Sequence, residues 1–592
     1  MYSLSYRLIT GFRLALLACV AGVFLVSCGS VETSNTDVAQ QSLASEEKTP
    51  QIQARPVQTK QVPVKEQAQS VAESELQDMS SLKKVERKIK MRAKMAPTGM
   101  LYSPALYMAE VDSVYIEESN RENYHHFSDS PVVSAGENAF STFSIDVDTG
   151  AYSNVRRFLN QGQLPRQDAV RAEELINYFS YDYARPGNKQ QPFSINTEIA
   201  PTPWNKHSYL LHVGLQAYQS AGAQRTPGNL VFLVDVSGSM QSRDKLQLLK
   251  SGLKLLVNQL DKNDAISIVT YAGSTGVVLK PTPGDKKAEI IMALDQLKSG
   301  GSTNGAGGIQ LAYQMAQQSF KKDGVNRIIL ATDGDFNVGV TNFEALKQMV
   351  EEKRKTGISL TTLGFGRGNY NDHLMEQLAD VGNGNYSYID NLNEAKKVLV
   401  DEMRSTLNTV ASDVKIQIEF NPQQVAEYRL IGYENRALKR EDFNNDKVDA
   451  GEIGENHSVT ALYEITFTDS VVKRLDNARY SPSDSAVKES GPNNELAFLR
   501  LRYKANSRGV SQLIEKPVYR SEVKSSLNQA SVDFKFSASV AAFAQHLRGG
   551  KYLQNFGYND ILQLAKKSRG EDDSGYRSEF VQLVALAQSL DG

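Results

Sequence analysis

Five oxygen-bearing side chains stand at three places in the middle of the chain and could together hold a hard metal ion. Asp235, Ser237 and Ser239 alternate within one short stretch, Thr303 lies in a glycine-rich stretch, and Asp333 ends a later apolar run. Carboxylates and hydroxyls suit Mg²⁺ or Mn²⁺, whereas softer metals favour nitrogen or sulfur ligands. The residue types therefore predict a divalent-metal site built only from oxygen.

The surrounding pattern predicts that these side chains meet. Residues 230–235 and 327–333 are apolar runs that end on an aspartate, and strands alternate with helical patterns throughout residues 228–408. Buried strands alternating with helices indicate a doubly wound, mostly parallel sheet. Such α/β folds bind ligands beyond the carboxyl ends of their strands, which is where both aspartates stand. Residues 276–281 are predicted to form an edge strand, because a proline closes it.

The five residues closely resemble the metal-ion-dependent adhesion site of von Willebrand factor type A domains. Every position of that pattern is matched in order, by Asp235, Ser237, Ser239, Thr303 and Asp333. The resemblance implies a Rossmann-like domain at residues 228–408 whose hydroxyls bind Mg²⁺ or Mn²⁺ directly, with the aspartates acting directly or through water. It also implies that one coordination position is left for an acidic group of a protein or envelope ligand.

The flanking segments predict a β-sandwich interrupted by this α/β domain. Residues 191–227 carry two strand patterns and residues 409–530 carry several more, all alternating in period two. Residues 100–190 are predicted to form a small α+β domain, and residues 531–592 a helical C-terminal segment. This domain order resembles that of a bacterial family of von Willebrand factor type A proteins.

The first hundred residues are predicted to comprise a signal peptide that directs the protein to the cell envelope, followed by a tether. Residues 14–26 are apolar but too short to cross a bilayer comfortably, and two arginines precede them, as in a signal peptide. Residues 25–28 resemble the lipobox of bacterial lipoproteins, which implies cleavage after residue 27 and lipidation (palmitate) of Cys28. Gly29, in place of an aspartate, favours the outer membrane, with the domain facing the periplasm or the surface. Residues 28–99 are predicted to be a disordered tether.

Composition excludes several classes of function. The formal net charge is −2 with both signs mixed, so nothing indicates a nucleic-acid partner. The two cysteines, Cys19 and Cys28, both lie in the first thirty residues, which leaves no thiol nucleophile, zinc ribbon or disulfide for the folded part.

Three functions fit these features. The first is metal-dependent binding of a partner, the second is a structural scaffold in an envelope complex, and the third is a metal-assisted hydrolase. The site loops contain no histidine to act as a general base, so a binding protein is predicted rather than an enzyme. Residues 148–150 (Asp-Thr-Gly) are similar to the catalytic tripeptide of aspartic proteases, but no second copy exists, and Asp148 is predicted to cap the following helix.

Overall fold

The computed structural model describes residues 121–188, 190–219, 226–302, 305–334, 343–402, 405, 408–476, 494–505 and 509–592. The predicted signal peptide (1–27), the tether (28–99), Cys28 and Thr303 lie outside these residues and stay predictions. In the part of the chain that is described, no helix is long and apolar enough to cross a membrane.

Strands and helices are numbered in chain order. The strands are β1 (Val133–Ser134), β2 (Phe140–Ser144), β3 (Phe193–Thr202), β4 (Asn205–Ala217), β5 (Gly228–Asp235), β6 (Ala265–Tyr271), β7 (Thr275–Pro283), β8 (Val325–Thr332), β9 (Ser359–Phe365), β10 (Tyr386–Ile389), β11 (Thr409–Phe420), β12 (Val425–Ile431), β13 (Ile453–Gly454), β14 (Ser458–Phe467), β15 (Glu495–Lys504) and β16 (Gln512–Tyr519). The helices are α1 (Gly150–Asn160), α2 (Ala172–Asn177), α3 (Leu248–Gln259), α4 (Lys287–Gln296), α5 (Gly305–Gln318), α6 (Phe343–Arg354), α7 (Asp372–Val381), α8 (Leu392–Lys396), α9 (Val532–Leu547), α10 (Tyr558–Lys567) and α11 (Tyr576–Asp591).

The central sheet has the order β10-β9-β8-β5-β6-β7 and confirms the predicted doubly wound α/β fold. All its pairings are parallel except that of β7, which runs antiparallel to β6 at the edge, as predicted. Alternate residues of β5 enter two cores: Phe232 packs with α3, α4 and α8, whereas Leu233 packs with α5, α6 and α7. Helices on both faces explain why β5 is a continuous apolar run.

Two antiparallel sheets form the sandwich in which the central domain is inserted. One has the order β1-β12-β14-β4-β3, and the other has the order β13-β11-β15-β16, with β2 added on β11. β4 precedes the central domain and β14 follows it, yet the two pair along their length, from Tyr209 opposite Ile465 to Gln216 opposite Ser458. The chain therefore leaves the sandwich after β4 and returns to it at β11.

The described part of the segment predicted as a small α+β domain (100–190), which begins at residue 121, does not form a sheet of its own. Its strand β2 pairs with β11, with Phe143 opposite Ile416, and joins the sandwich. Its helices share one core with α9, α10 and α11, in which Phe179 contacts the rings of Phe536 and Phe580 at centroid distances of 5.0 and 5.6 Å. Because α1 buries almost all of its residues, it needs covering elements on several sides, which α2 and one strand could not supply.

Asp148 does not cap α1, which corrects the sequence prediction. The N-cap is Thr149, and its side chain makes no capping hydrogen bond. Asp148 Oδ1 instead accepts from the backbone N–H of Tyr386 at 2.8 Å, and Oδ2 accepts from Arg436 at 3.0 Å. Asp148 thus joins the first segment to the edge strand β10 of the central domain.

Candidate functional site

Asp235 is the last residue of β5 and is fully buried at the carboxyl edge of the sheet. Its Oδ1 accepts from the backbone N–H of Ser237 at 2.8 Å. Its Oδ2 accepts from the hydroxyl of Thr332, at the end of the neighbouring strand β8, at 2.8 Å. These two bonds fix the carboxylate at the point where β5 bends into the following turn.

Ser237 and Ser239 point their hydroxyls toward one another, with their Oγ atoms 2.9 Å apart. The glycine-rich loop lies beside them, because Gly238 N–H donates to the carbonyl of Gly301 at 3.0 Å and Gly300 N–H donates to that of Val236 at 2.7 Å. Gly301 adopts a φ of +87°, which favours glycine. The described part of this loop, residues 300–302, is therefore held beside the two serines, and Thr303 lies outside the described residues.

Asp333 directly follows β8 and is fully buried beside the same edge. Its Oδ2 accepts from Lys245 Nζ at 2.9 Å and from Asn369 Nδ2 at 3.2 Å. Gly334, the next residue, has a φ of +85°, and a Cβ there would lie 2.5 Å from the backbone nitrogen of Asn371. Only glycine fits this close approach, so Asp333 is held by a tight backbone turn.

Sequence reasoning missed Thr332, Lys245 and Asn369 as neighbours of the two aspartates. The position of Asn369 in the sequence could have indicated its role, because it follows β9 at the same carboxyl edge that was predicted to carry the site. Lys245 had a weaker signal, since it is a charged residue only three positions before the amphipathic helix α3. Thr332 had none beyond standing next to Asp333.

The electrostatics of this edge favour a cation. Burial raises the pKa of Asp235 to about 6, and the nearby charge of Asp333 adds to the rise, while hydrogen bonds from Ser237 and Thr332 oppose it. Burial, with the charge of Asp235, also raises the pKa of the Tyr271 hydroxyl well above its usual value. Lys245 already offsets the charge of Asp333, so of the two carboxylates Asp235 is the one whose buried negative charge a cation would compensate.

The donor set fits a hard divalent ion. The described residues contain no cluster of three or more Asp, Glu, His or Cys side chains placed to hold a metal, so an ion here would need the serine hydroxyls as well as the two carboxylates. Hydrogen bonds join Asp235 to Ser237 and Ser237 to Ser239, and Asp333 directly follows the adjacent strand β8. Such all-oxygen ligands are those of Mg²⁺ or Mn²⁺.

This fold and donor arrangement define a von Willebrand factor type A domain, and the family model of that name matches residues 229–424. A model described as von Willebrand factor matches residues 118–212, and one described as the C-terminal part of the uncharacterized protein YfbK matches residues 405–590. YfbK of Escherichia coli (strain K12) is 48% identical over 488 residues, which cover 81% of this chain and 84% of YfbK. The chain therefore belongs to the YfbK family of von Willebrand factor type A proteins.

More distant relatives share only part of the chain. Inter-alpha-trypsin inhibitor heavy chain H3 of Mesocricetus auratus is 25% identical over 319 residues, which cover 50% of this chain and 33% of that protein. Among solved structures, a von Willebrand factor type A protein from Catenulispora acidiphila matches with a TM-score of 0.40 at 13% identity, over 69% of this chain and 91% of that chain.

Proposed function

We propose that this protein binds an acidic group of a protein or envelope ligand through a divalent metal ion held at the von Willebrand factor type A site. The observation that carries the proposal is the convergence of Asp235, Ser237, Ser239 and Asp333 at one carboxyl edge of the sheet. Mg²⁺ or Mn²⁺ is the ion that these oxygen donors suit.

Each residue has a distinct part in this proposal. The hydroxyls of Ser237, Ser239 and Thr303 would hold the ion, and the carboxylates of Asp235 and Asp333 would offset its charge. The bound ion supplies a directed electrostatic bond to the ligand's carboxylate. The hydrogen bond from Thr332 and the close contact between the 236–238 turn and the glycine-rich loop keep the donors in place before any ion arrives.

The proposed location follows from the first residues of the chain. We propose that Cys28 carries the lipid anchor and that residues 28–99 act as a tether between an outer membrane and the folded part. Lipidation with more than one acyl chain gives stable membrane attachment. A tether of this length lets the binding site meet ligands away from the membrane surface.

Binding is favoured over catalysis by the chemistry of the site. Asp333 is paired with Lys245, and Asp235 accepts two hydrogen bonds, so neither is placed as a general base. A structural scaffold remains the second candidate, supported by the buried charges that join the central domain to its neighbours, among them Arg171 with Asp372 and Arg436 with Asp148.

Capture of partners from envelope extract tests the proposal. Wild-type protein with Mg²⁺ should retain a partner that is lost with EDTA and in Asp235→Ala. Asp295→Ala is the matched control, because Asp295 is an exposed aspartate of α4 paired with Lys254. Partners kept equally by Asp235→Ala and in EDTA would instead support the scaffold. Turnover of ester, phosphate or peptide substrates that is lost in Asp333→Ala would support a hydrolase.

A further inference from the structure

Lys245 places a positive charge directly on one of the two site carboxylates. Its Nζ donates to Asp333 Oδ2 at 2.9 Å and to Asn369 Oδ1 at 3.1 Å, and Asn369 Nδ2 donates to the same Asp333 oxygen at 3.2 Å. Both Lys245 and Asp333 are buried. A buried lysine that is fully engaged with a ligand carboxylate acts as a fixed counter-ion rather than as a mobile surface charge.

The local backbone is shaped around this lysine. Lys245 lies in the turn Arg243–Gln247, where its own backbone angles leave the helical region (φ −117°, ψ −107°). Its stem passes over Gly366, which has a φ of +75° and at which a Cβ would collide with Lys245 Cε. The loop after β9 therefore contributes both the space for the lysine stem, at Gly366, and an acceptor for its ammonium, at Asn369.

Lys245 changes the net charge that a metal ion would meet at this site. Asp235, Asp333 and Lys245 sum to one negative charge, so a divalent ion would leave the site with one positive charge. Without Lys245 the two carboxylates alone would neutralise the ion. With it, one further carboxylate is required, and an incoming acidic ligand brings that carboxylate.

We propose that Lys245 is a built-in counter-ion that weakens metal binding by the protein alone and couples it to the arrival of an acidic ligand group. This inference rests on the proposed function, because it concerns the same ion. It differs in assigning a regulatory role to a residue outside the five-residue pattern. The coupling is reciprocal: acidic ligand tightens metal binding, and metal tightens ligand binding, by the same factor.

Calorimetric titration with Mg²⁺ tests the role of Lys245, with acetate as the simplest carboxylate. Lys245→Met keeps the stem and removes the charge. We expect its Kd for Mg²⁺ without acetate to fall by about tenfold or more, because the ammonium of Lys245 and the ion carry charges of the same sign and would both lie beside Asp333. Acetate should tighten Mg²⁺ binding in the wild type and have a smaller effect in Lys245→Met. Lys245→Gln, which keeps a donor for Asp333, should behave as Lys245→Met does and covers the case in which Met disturbs folding.

Lys250→Met is the matched control, because Lys250 is a buried lysine five residues further along the chain. It donates to the carbonyls of Asp295 and Leu297 at 2.9 and 3.2 Å, away from the site. Its Kd should equal that of the wild type. If the wild type binds Mg²⁺ but Lys245→Met and Lys245→Gln bind it no more tightly, the counter-ion role is wrong and the proposed function stands. If none of these proteins binds Mg²⁺, the proposed function itself fails.

Discussion

At the scale of single residues, the site depends on carboxylates that water does not reach. Asp235 is fully buried, and its two oxygens are satisfied from different elements, by the backbone of Ser237 and by the side chain of Thr332. A buried carboxylate is tolerated only where hydrogen bonds or positive charge compensate its lost hydration. Groups that orient a metal ligand therefore matter nearly as much as the ligand itself.

Thr332 gives a prediction at this scale. Thr332→Val keeps the shape but removes the hydroxyl that fixes Asp235 Oδ2, so Mg²⁺ affinity should fall by about tenfold or more, as is usual when a group that orients a ligand is lost. Thr332→Ser keeps the hydroxyl and should bind Mg²⁺ nearly as the wild type does. Calorimetry measures the Kd for Mg²⁺ of each protein. An affinity of Thr332→Val equal to that of the wild type would show that Asp235 does not need the hydrogen bond from Thr332.

At the scale of elements, local sequence patterns were sufficient to predict the fold of the central domain. They were not sufficient to predict how the flanking segments pair and pack. The apolar runs of β5 and β8 lie where the sequence predicts them, because an unbroken run of apolar residues is enough to indicate a strand buried on both faces. The pairing of β2 with β11 joins residues more than 250 positions apart, and no local pattern encodes it. The Lys245–Asp333 contact was missed for the same reason.

Helix α2 contains buried glutamates, and the surroundings of Glu173 show why burying its charged form costs free energy. Glu173 is buried and accepts a backbone hydrogen bond from Tyr433, but its Oε2 has no hydrogen-bond partner among the described residues. Burial raises the pKa of Glu173 to about 8, and the charges of Glu434, Asp146 and Glu174, which face it, add to the rise. Glu173 is thus protonated in the folded protein at pH values where it ionises in the unfolded chain.

The pH dependence of stability follows from this shift. Between the ordinary pKa of a glutamate and about 8, the folded state holds the proton more tightly, so the free energy of unfolding contributed by Glu173 is present at low pH and is lost as pH rises. Glu173→Gln should narrow the difference in unfolding free energy between pH 6 and pH 9 by on the order of 3 kcal/mol. Urea unfolding at the two pH values measures this difference, and Glu441→Gln, at an exposed glutamate, is the control. A difference in Glu173→Gln equal to that of the wild type would contradict the raised pKa of Glu173.

At the scale of the whole molecule, the candidate metal site lies on a domain that is attached to the rest of the folded chain at several points. The central domain is covalently joined to the sandwich at both ends, after β4 and before β11. Buried ion pairs also bind it to the preceding segment, among them Arg171 with Asp372 and Arg156 with Glu394. Breaking a buried ion pair by removing one partner is strongly destabilising. These contacts therefore fix the orientation of the central domain relative to the preceding segment.

The predicted anchor concerns the whole molecule as well. Wild-type protein should be found in the membrane fraction and incorporate labelled palmitate, whereas Cys28→Ala should incorporate none, because the acyl chains attach at that cysteine. Cys19→Ala is the matched control and should be lipidated normally, since Cys19 precedes the predicted cleavage position. Label incorporated by Cys28→Ala would contradict the lipobox assignment.

The central claim is that one divalent ion binds at the five-residue site, and the melting temperature of the protein from residue 29 onward tests it most directly. An ion that binds only the folded state stabilises it by about 2.7 kcal/mol at a hundredfold excess over Kd. Mg²⁺ or Mn²⁺ should therefore raise the melting temperature of the wild type, EDTA should reverse the rise, and Asp235→Ala and Thr303→Ala should fold without showing it. A melting temperature of the wild type that does not respond to either ion, or an equal rise in both variants, would contradict the claim.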